Sequence, residues 1–327
     1  SEAKSILTMI NKKLKLNYQV LGEYLFQGHT NSSNSYFLEG IKQVEPNSIK
    51  EFSMSSNIQE RNNLSYWSFP KIAYENYSLK DNVQEIRELF FDSVKLRLRS
   101  DVPVGILLSG GIDSSSIATV TSKISQNDLI LFSAVDSGSK SDESPYIDKM
   151  SKFLNVKVNK VSLSLDDYNI LELLENLIWI NDQPLPSLSN LTHYLLTKKA
   201  SDHGYKVLLT GQGADELICG YRKYLLFYFQ YLAKRMKPLK AIKVLNSFYQ
   251  NGTIINQINL LEAKPYISFF SKSGIIQDAG NHFKNFKRLN LGMNKSQSIY
   301  ERQIKDFTSL SLPQLLHTED RMSMANS

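Results

Sequence analysis

The fold is decided by residues 104–114, which read Val-Gly-Ile-Leu-Leu-Ser-Gly-Gly-Ile-Asp-Ser. The first half is an apolar run typical of a buried strand, and the second half is a glycine-rich turn leading into a helix that begins on serines. Glycines let backbone amides approach an anion, serine hydroxyls donate further hydrogen bonds, and a helix N-terminus adds partial positive charge. The pattern therefore predicts a phosphate-binding turn between a strand and a helix.

The acidic residue inside this turn narrows the choice of ligand. The turn has no lysine, so it is not the GxxxxGK[ST] phosphate loop. Asp113 would repel a bare phosphate, whereas Mg²⁺ between the two groups would remove the repulsion. The hexapeptide 109–114 resembles the SGGxDS signature of ATP pyrophosphatases, which cut ATP between its α- and β-phosphates.

Outward from the turn, short apolar runs alternate with helical patterns. The predicted strands are 104–108, 129–135, 156–162 and 206–210, and the predicted helices are 83–98, 114–124, 144–154, 166–180 and 188–203. This alternation predicts an α/β fold with a doubly wound parallel sheet. Because ligands bind such sheets at the carboxyl ends of strands, we expect the glycine turns at 109–111 and 211–213 to form one site.

Composition places the chain in an ordinary class. Its length of 327 residues is enough for two domains. Its content of 42% hydrophobic and 21% charged residues is ordinary for a globular protein. Cys219 is the single cysteine, so an internal disulfide is excluded. The sequence shows neither a signal peptide nor a membrane-spanning run, and we expect a cytoplasmic protein with no membrane partner. The five histidines show no metal-ligand spacing, and we expect them to be structural or surface groups.

Five ordered motifs resemble the synthetase part of the asparagine synthetase family, class B type. They are SGGIDS (109–114), SDESPY (141–146), NDQP (181–184), TGQGADELICGY (210–221) and LPQLLHTEDRMSMANS (312–327). The resemblance implies a sheet of the adenine nucleotide alpha hydrolase-like type with added helices. Residues 1–80, which look irregular, resemble the end of a glutaminase domain plus a linker, and 81–327 resemble a synthetase domain that is incomplete at its C-terminus.

The family also implies a reaction and a set of site residues. MgATP would adenylate a carboxylate, aspartate as the first choice, and ammonia would then displace AMP. Site residues implied by the matching motifs are Leu107 and Val135 for adenine; Ser109, Gly110, Gly111, Ser114, Thr210 and Gly211 for the rest of ATP; Asp113 and Asp215 for Mg²⁺; and Gln212 and Arg321 for catalysis. The nitrogen would come from free ammonia or from glutamine through a glutaminase domain that this chain lacks.

Three departures qualify the resemblance. The chain begins with Ser1 and lacks the family's N-terminal cysteine, so by itself it should not hydrolyse glutamine. It stops at Ser327 where the family continues, and thus resembles an internal part of a longer enzyme. Gln183 and Gln212 stand where the family often has glutamate. Because the family assigns a base role to the acid at the second of these positions, Gln212 argues against strict asparagine synthesis.

Other interpretations stay open at this stage. A larger acceptor in polysaccharide or secondary-metabolite assembly, including macrolactam formation, keeps the same adenylation chemistry. The basic aromatic stretch 221–243 is also found in RNA-binding proteins, although snorkelling lysines over packed helices explain it without nucleic acid, and we expect none. A non-catalytic nucleotide sensor is a third class. Asp215 could be a helix cap and Glu216 a surface acid; Asp142 and Glu143 suit capping. The oligomeric state is open, a homodimer included.

Overall fold

In the computed structural model the described residues are 2–10, 12–54, 58–70, 78–125, 129–136, 142–163, 169–250, 281–292 and 297–327. The chain divides into two compact units. The first unit comprises Ser1–Pro70 with Gly213–Leu315, and the second comprises Lys71–Gln212 with Leu316–Ser327.

In the described parts of the chain the elements are ten numbered helices and six strands, followed towards the C-terminus by a 3₁₀ turn, a π-helical turn and two further helices. They are α1 (Ala3–Met9), α2 (Tyr18–Gln27), β1 (Ser48–Ser53), β2 (Gln59–Ser65), α3 (Leu79–Arg97), β3 (Val104–Leu107), α4 (Ile112–Ile124), β4 (Leu131–Val135), α5 (Ser144–Leu154), β5 (Val158–Ser162), α6 (Ile170–Asn181), α7 (Ser189–Asp202), β6 (Val207–Leu209), α8 (Ala214–Ile218), α9 (Arg222–Lys234), α10 (Pro238–Gln250), the 3₁₀ turn Asn281–Phe283, the helix Ile299–Lys305, the π-helical turn Asp306–Leu310 and the helix Leu312–Met324.

The second unit is built on a four-stranded sheet in the order β5-β4-β3-β6, with every neighbouring pair parallel. The chain moves from β3 outward through β4 to β5 and then returns to the opposite side of β3 as β6. The strand order therefore reverses between β3 and β6. A crevice at the carboxyl ends of strands is expected at such a reversal.

Helices cover both faces of this sheet because successive strand residues point to opposite sides. Ile106 packs on one face with Ile147 of α5. Leu107 packs on the other face with Phe132 of β4 and Ala200 of α7. The prediction of an α/β fold with a doubly wound parallel sheet is therefore confirmed.

Element boundaries differ modestly from the predictions. Each predicted strand is present, and each is shorter than predicted by one or two residues. The helix predicted from Ser114 begins at Ile112, so Asp113 lies in its first turn. The helix predicted over 166–180 is observed from Ile170, and residues 164–168 lie outside the described residues.

The expectation that residues 1–80 are irregular is wrong for part of the first unit. β1 and β2 pair as an antiparallel hairpin whose register shifts between Glu51 and Phe52. Every residue of β2 is exposed, so its sequence lacks the apolar alternation by which a strand is normally recognised. The side-chain amide of Gln19 in α2 exchanges hydrogen bonds of 2.7 and 2.9 Å with the main chain of Lys287, which joins the start of the chain to residues 281–292.

The described parts of the chain contain no helix that combines the length and the apolarity needed to cross a bilayer.

Candidate active site

Hydrogen bonds of Ser109 and Ser114 fix the conformation of the turn after β3. The Ser109 amide donates to Ser114 Oγ at 3.1 Å, the Gly111 amide donates to Ser109 Oγ at 3.3 Å, and the two hydroxyl oxygens are 3.0 Å apart. Ser114 is buried and also donates to the Gly111 carbonyl at 3.3 Å. The first amides of α4 have no acceptor within the helix, so this turn presents backbone donors to an anion.

Gly110 is required by both conformation and space. Its φ of +76° lies in the left-handed region, and a Cβ added there would come within 2.9 Å of Tyr146 Cβ in α5. A side chain at Gly110 would therefore be strained and would push α5 away from the turn.

The second glycine turn, 210–212, meets the first one directly. A Cβ on Gly211 would lie 3.1 Å from Asp113 Cβ and 3.2 Å from the Ser114 amide nitrogen. The pairing of β3 with β6 thus brings Thr210 and Gly211 to the start of α4. Gln212, the next residue, is exposed.

Asp113 has the position expected of a metal ligand at this turn. It is partly buried in the first turn of α4, and burial raises the pKa of its carboxyl above the usual range. Among the described residues, no group of three or more histidine, cysteine, aspartate or glutamate side chains could hold a metal ion.

The two residues expected at adenine lie in the packing of the sheet. Leu107 is buried against α7, and Val135 packs beside the core residues on the other face. The capping interpretation of the acidic pair before α5 is confirmed for Asp142 only. Asp142 Oδ1 accepts from the amide and the hydroxyl of Ser144, at 3.0 and 2.5 Å, whereas Glu143 occupies the N-cap position without a side-chain cap hydrogen bond. Ser141 of the same motif lies outside the described residues.

The C-terminal helix brings further groups to the second unit. Arg321 is partly buried and its neighbour Met322 is fully buried against α6 and α7. His317 Nε2 lies 2.9 Å from the Asn181 carbonyl oxygen. Burial lowers the pKa of His317, and the Arg321 charge lowers it further.

Glu319, which sequence reasoning missed, lies at the end of β6. Burial raises the pKa of its carboxyl, and the neighbouring Thr210 hydroxyl offsets part of that rise. Its main-chain carbonyl accepts a hydrogen bond from the ring of His193 in α7, whose pKa is lowered to about 4 by burial. The acid was readable in the sequence 312–327, but nothing there indicated that it would lie half-buried beside Thr210.

The remaining predicted ligand, Asp215, belongs to the first unit. It lies in the first turn of α8, whose N-cap position is taken by Gly213, so the capping interpretation is wrong. Its neighbour Glu216 is 1% exposed. Glu216 Oε1 accepts from Ser311 at 2.6 Å and from Tyr221 at 2.9 Å, so the interpretation of Glu216 as a surface acid is also wrong.

Part of the basic aromatic stretch has a structural role in the first unit. Lys223 lies 3.1 Å from Asp306, which also receives two hydrogen bonds from Arg302, at 2.8 and 3.2 Å. Phe227 is fully buried, and the Arg302 guanidinium lies 4.6 Å from the centre of its ring.

With this geometry in view, comparison with known proteins decides the family. A family model described as asparagine synthase matches residues 85–327. The chain belongs to the asparagine synthase family. This confirms the resemblance found in the five motifs.

Curated relatives agree with this membership. The chain is 30% identical over 245 residues to a putative glutamine-hydrolysing asparagine synthetase of Methanocaldococcus jannaschii, covering 74% of this chain and 46% of the relative. It is 31% identical over 235 residues to glutamine-hydrolysing asparagine synthetase 2 of Bacillus subtilis, covering 68% and 31%. An amidase of Gibberella zeae is 30% identical over 202 residues, covering 57% and 29%. The chain thus spans less than half the length of these relatives.

Proposed function

We propose that this chain carries the ATP-binding and amide-forming part of an asparagine-synthetase-like ligase. A carboxylate is unreactive towards an amine because its leaving group would be oxide. Attack of the carboxylate on the α-phosphorus of ATP releases pyrophosphate and gives an acyl-adenylate, from which ammonia displaces AMP. The single observation that carries this proposal is the contact of the two glycine turns at the carboxyl ends of β3 and β6.

Each part of the crevice has a role in this reaction. The Ser109 hydroxyl, the Gly110 amide and the amides at the start of α4 bind the phosphates, while Gly111 and Ser114 hold the turn in shape. Thr210 and Gly211 border the nucleotide from β6. The adenine ring lies at the strand ends marked by Leu107 and Val135, which remain part of the core, and Arg321 positions the carboxylate or a phosphate.

Asp113 would hold Mg²⁺ together with phosphate oxygens, since the described residues provide no complete protein ligand set. Asp215 is assigned as a second ligand on the basis of its motif. Magnesium, when bound, neutralises charge that develops on the phosphates. The raised pKa of Asp113 fits this role, because a nearby cation restores the ionised form that burial disfavours.

Aspartate is the first candidate acceptor, with ammonia as the nitrogen donor. A larger carboxylic acid is the second candidate, and Gln212 favours it because a neutral side chain stands where the family often has an acid. Relatives named amidases as well as asparagine synthetases fit this wider range. RNA is a weaker candidate, since Lys223 and Phe227 of the basic aromatic stretch are committed to the interior of the first unit.

The chain matches less than half of the glutamine-hydrolysing synthetases that it resembles. A protein of their full length would add glutamine hydrolysis to the reaction. We assign 1–80 to the end of a glutaminase domain with its linker and 81–327 to an incomplete synthetase domain. The reaction consumes ATP, which suits a cytoplasmic enzyme, and a homodimer is compatible with this assignment.

The test is pyrophosphate release from MgATP with a panel of carboxylic acids and excess ammonium. We expect release that depends on one acid, with AMP as the nucleotide product. Ser109→Ala should lower the rate ~10-fold or more, the equivalent of one hydrogen bond to a charged group. Ser122→Ala is the matched control, because Ser122 is exposed on α4 and bonds only within its own helix. Nucleotide binding without release for any acid would contradict the proposal.

A further inference from the structure

One lysine of α5 lies beside the phosphate turn without an acid partner. Lys149 is exposed, and its ammonium forms no ion pair with any residue that the structure describes. Its nitrogen lies 5.6 Å from the centre of the Tyr146 ring. Unpaired surface lysines are common, so it is the position of Lys149 that gives this one a possible role.

The packing of α5 sets that position. A Cβ on Gly110 would lie 2.9 Å from Tyr146 Cβ, 3.4 Å from the Ile147 amide nitrogen and 3.5 Å from the Glu143 carbonyl oxygen. The start of α5 therefore rests directly on the phosphate turn. Lys149 follows Tyr146 by three residues, which places it on the same face of α5 and about 4.5 Å further along the axis. Its ammonium thus lies over the side chain that touches the turn.

The phosphate turn carries no positive side chain of its own. Residues 108–116 read Leu-Ser-Gly-Gly-Ile-Asp-Ser-Ser-Ser, with one acid and neither lysine nor arginine. Backbone amides and hydroxyls supply hydrogen bonds to an anion, whereas a triphosphate carries several full negative charges. A lysine ammonium is a compact charge with three donors, which suits phosphate oxygens.

The acids nearest to Lys149 in the sequence do not neutralise it. Asp148 pairs with Lys160 at 2.6 Å. Asp142 accepts hydrogen bonds from the amide and the hydroxyl of Ser144. Glu143 precedes Lys149 by six residues, beyond the spacing of three or four at which side chains of one helix meet. The charge of Lys149 is therefore available to a ligand.

We propose that Lys149 binds the two phosphates of ATP that leave as pyrophosphate, an inference that rests on the proposed function. The turn at Gly110 holds these phosphates, because the α-phosphorus must stay open to the attacking carboxylate. When the carboxylate oxygen bonds to the α-phosphorus, the bond to the bridging oxygen breaks and its electron pair leaves with pyrophosphate. The ammonium of Lys149 stabilises that charge, and the Tyr146 ring keeps the ammonium on this face of α5.

The experiment is calorimetric titration of wild type, Lys149→Ala and Lys149→Arg with magnesium pyrophosphate, MgATP and AMP. Lys149→Ala should weaken the binding of pyrophosphate and of ATP ~10-fold or more, the equivalent of one hydrogen bond to a charged group. AMP binding should be unchanged, because AMP lacks the two phosphates concerned. Lys149→Arg keeps the charge and should restore most of the lost affinity. High salt should narrow the difference between wild type and Lys149→Ala, because salt screens exposed charges.

The matched control is Lys152→Ala, which removes an exposed lysine one helical turn further from Gly110 on α5 and should leave all three affinities unchanged. Equal weakening of pyrophosphate and AMP in Lys149→Ala would indicate a structural role and overturn the proposal. An unaltered pyrophosphate affinity in Lys149→Ala, or an equal loss in Lys152→Ala, would also overturn it.

Acid-dependent exchange of labelled pyrophosphate into ATP tests the proposed function separately. Absence of exchange in wild type with every acid, together with tighter pyrophosphate binding by wild type than by Lys149→Ala, would overturn the reaction and support Lys149 as a phosphate-binding residue. Wild type that binds neither ATP nor pyrophosphate would overturn both.

Discussion

Two acids, the buried Asp306 in the first unit and the half-buried Glu319 in the second, have different surroundings. Asp306 is fully buried, and its oxygens are bonded to Arg302 and Lys223 at 2.8 to 3.2 Å. Glu319 Oε1 is buried without a hydrogen-bond partner among the described residues, and the Thr210 hydroxyl is a neighbour of the carboxylate. The two acids thus differ in pairing as well as in burial, because the Asp306 oxygens are matched by cations and one buried Glu319 oxygen is not.

The largest effect should come from breaking the complete cluster. Asp306→Ala leaves Arg302 and Lys223 buried without their partner, and we expect it to cost about 3–5 kcal/mol of unfolding free energy. Denaturant unfolding measures this loss. Asp148→Ala is the control, since its pair with Lys160 at 2.6 Å is exposed and should be worth less than about 1 kcal/mol. Equal losses of unfolding free energy in the two variants would contradict the claim that the buried Asp306 cluster contributes more than the exposed pair of Asp148 and Lys160.

A second prediction tests whether the strand ends of the second unit are shaped for a ligand. Gly110→Ala combines a φ of +76° with a 2.9 Å approach to Tyr146, so it should cost about 1–3 kcal/mol of stability and most of the nucleotide affinity. Calorimetric titration with ATP measures the affinity.

Gly204→Ala provides the matched comparison for that prediction. Gly204 has a φ of +81°, but a Cβ there would meet nothing within 4 Å. This variant should lose about 1–2 kcal/mol of unfolding free energy through backbone strain alone and bind ATP normally. Loss of ATP binding in both variants would show that general destabilisation, rather than the shape of the turn, is responsible.

The smallest effect concerns the contribution of the Glu319 carboxyl to the stability of the protein. Its folded-state pKa is raised above the unfolded value, so its contribution to stability is fully present below the unfolded pKa and is lost as pH rises through the folded one. Glu319→Gln should therefore unfold at a slightly higher temperature than wild type at neutral pH, and the difference should vanish in acid. Thermal melts across pH measure it. A variant less stable than wild type at neutral pH would mean that the carboxylate is satisfied after all.

The sequence allowed the sheet and the phosphate turn to be predicted because their signals are local. An apolar run followed by Ser109, Gly110 and Gly111 carries both the strand and the anion site within a few residues. The hairpin of β1 and β2 escaped prediction because all of β2 is exposed, which leaves no apolar alternation to detect.

The surroundings of Glu216 and Glu319 escaped prediction for a different reason. Glu216 and Glu319 are polar residues in local sequences that suit a helix surface, and their burial depends on distant partners. Glu216 is bonded to Ser311 and Glu319 is a neighbour of Thr210, each about a hundred residues away along the chain. Contacts at such separations leave no periodic mark in a single sequence.

The central claim, that a carboxylate of the substrate is adenylated at the turn of β3, is tested most directly by following an oxygen label. The accepted acid, labelled with heavy oxygen in its carboxylate, is turned over with MgATP and ammonium, and the products are analysed by mass spectrometry. Adenylation predicts one labelled oxygen in AMP and unlabelled pyrophosphate. Label in inorganic phosphate with ADP as product, or AMP free of label, would contradict the account.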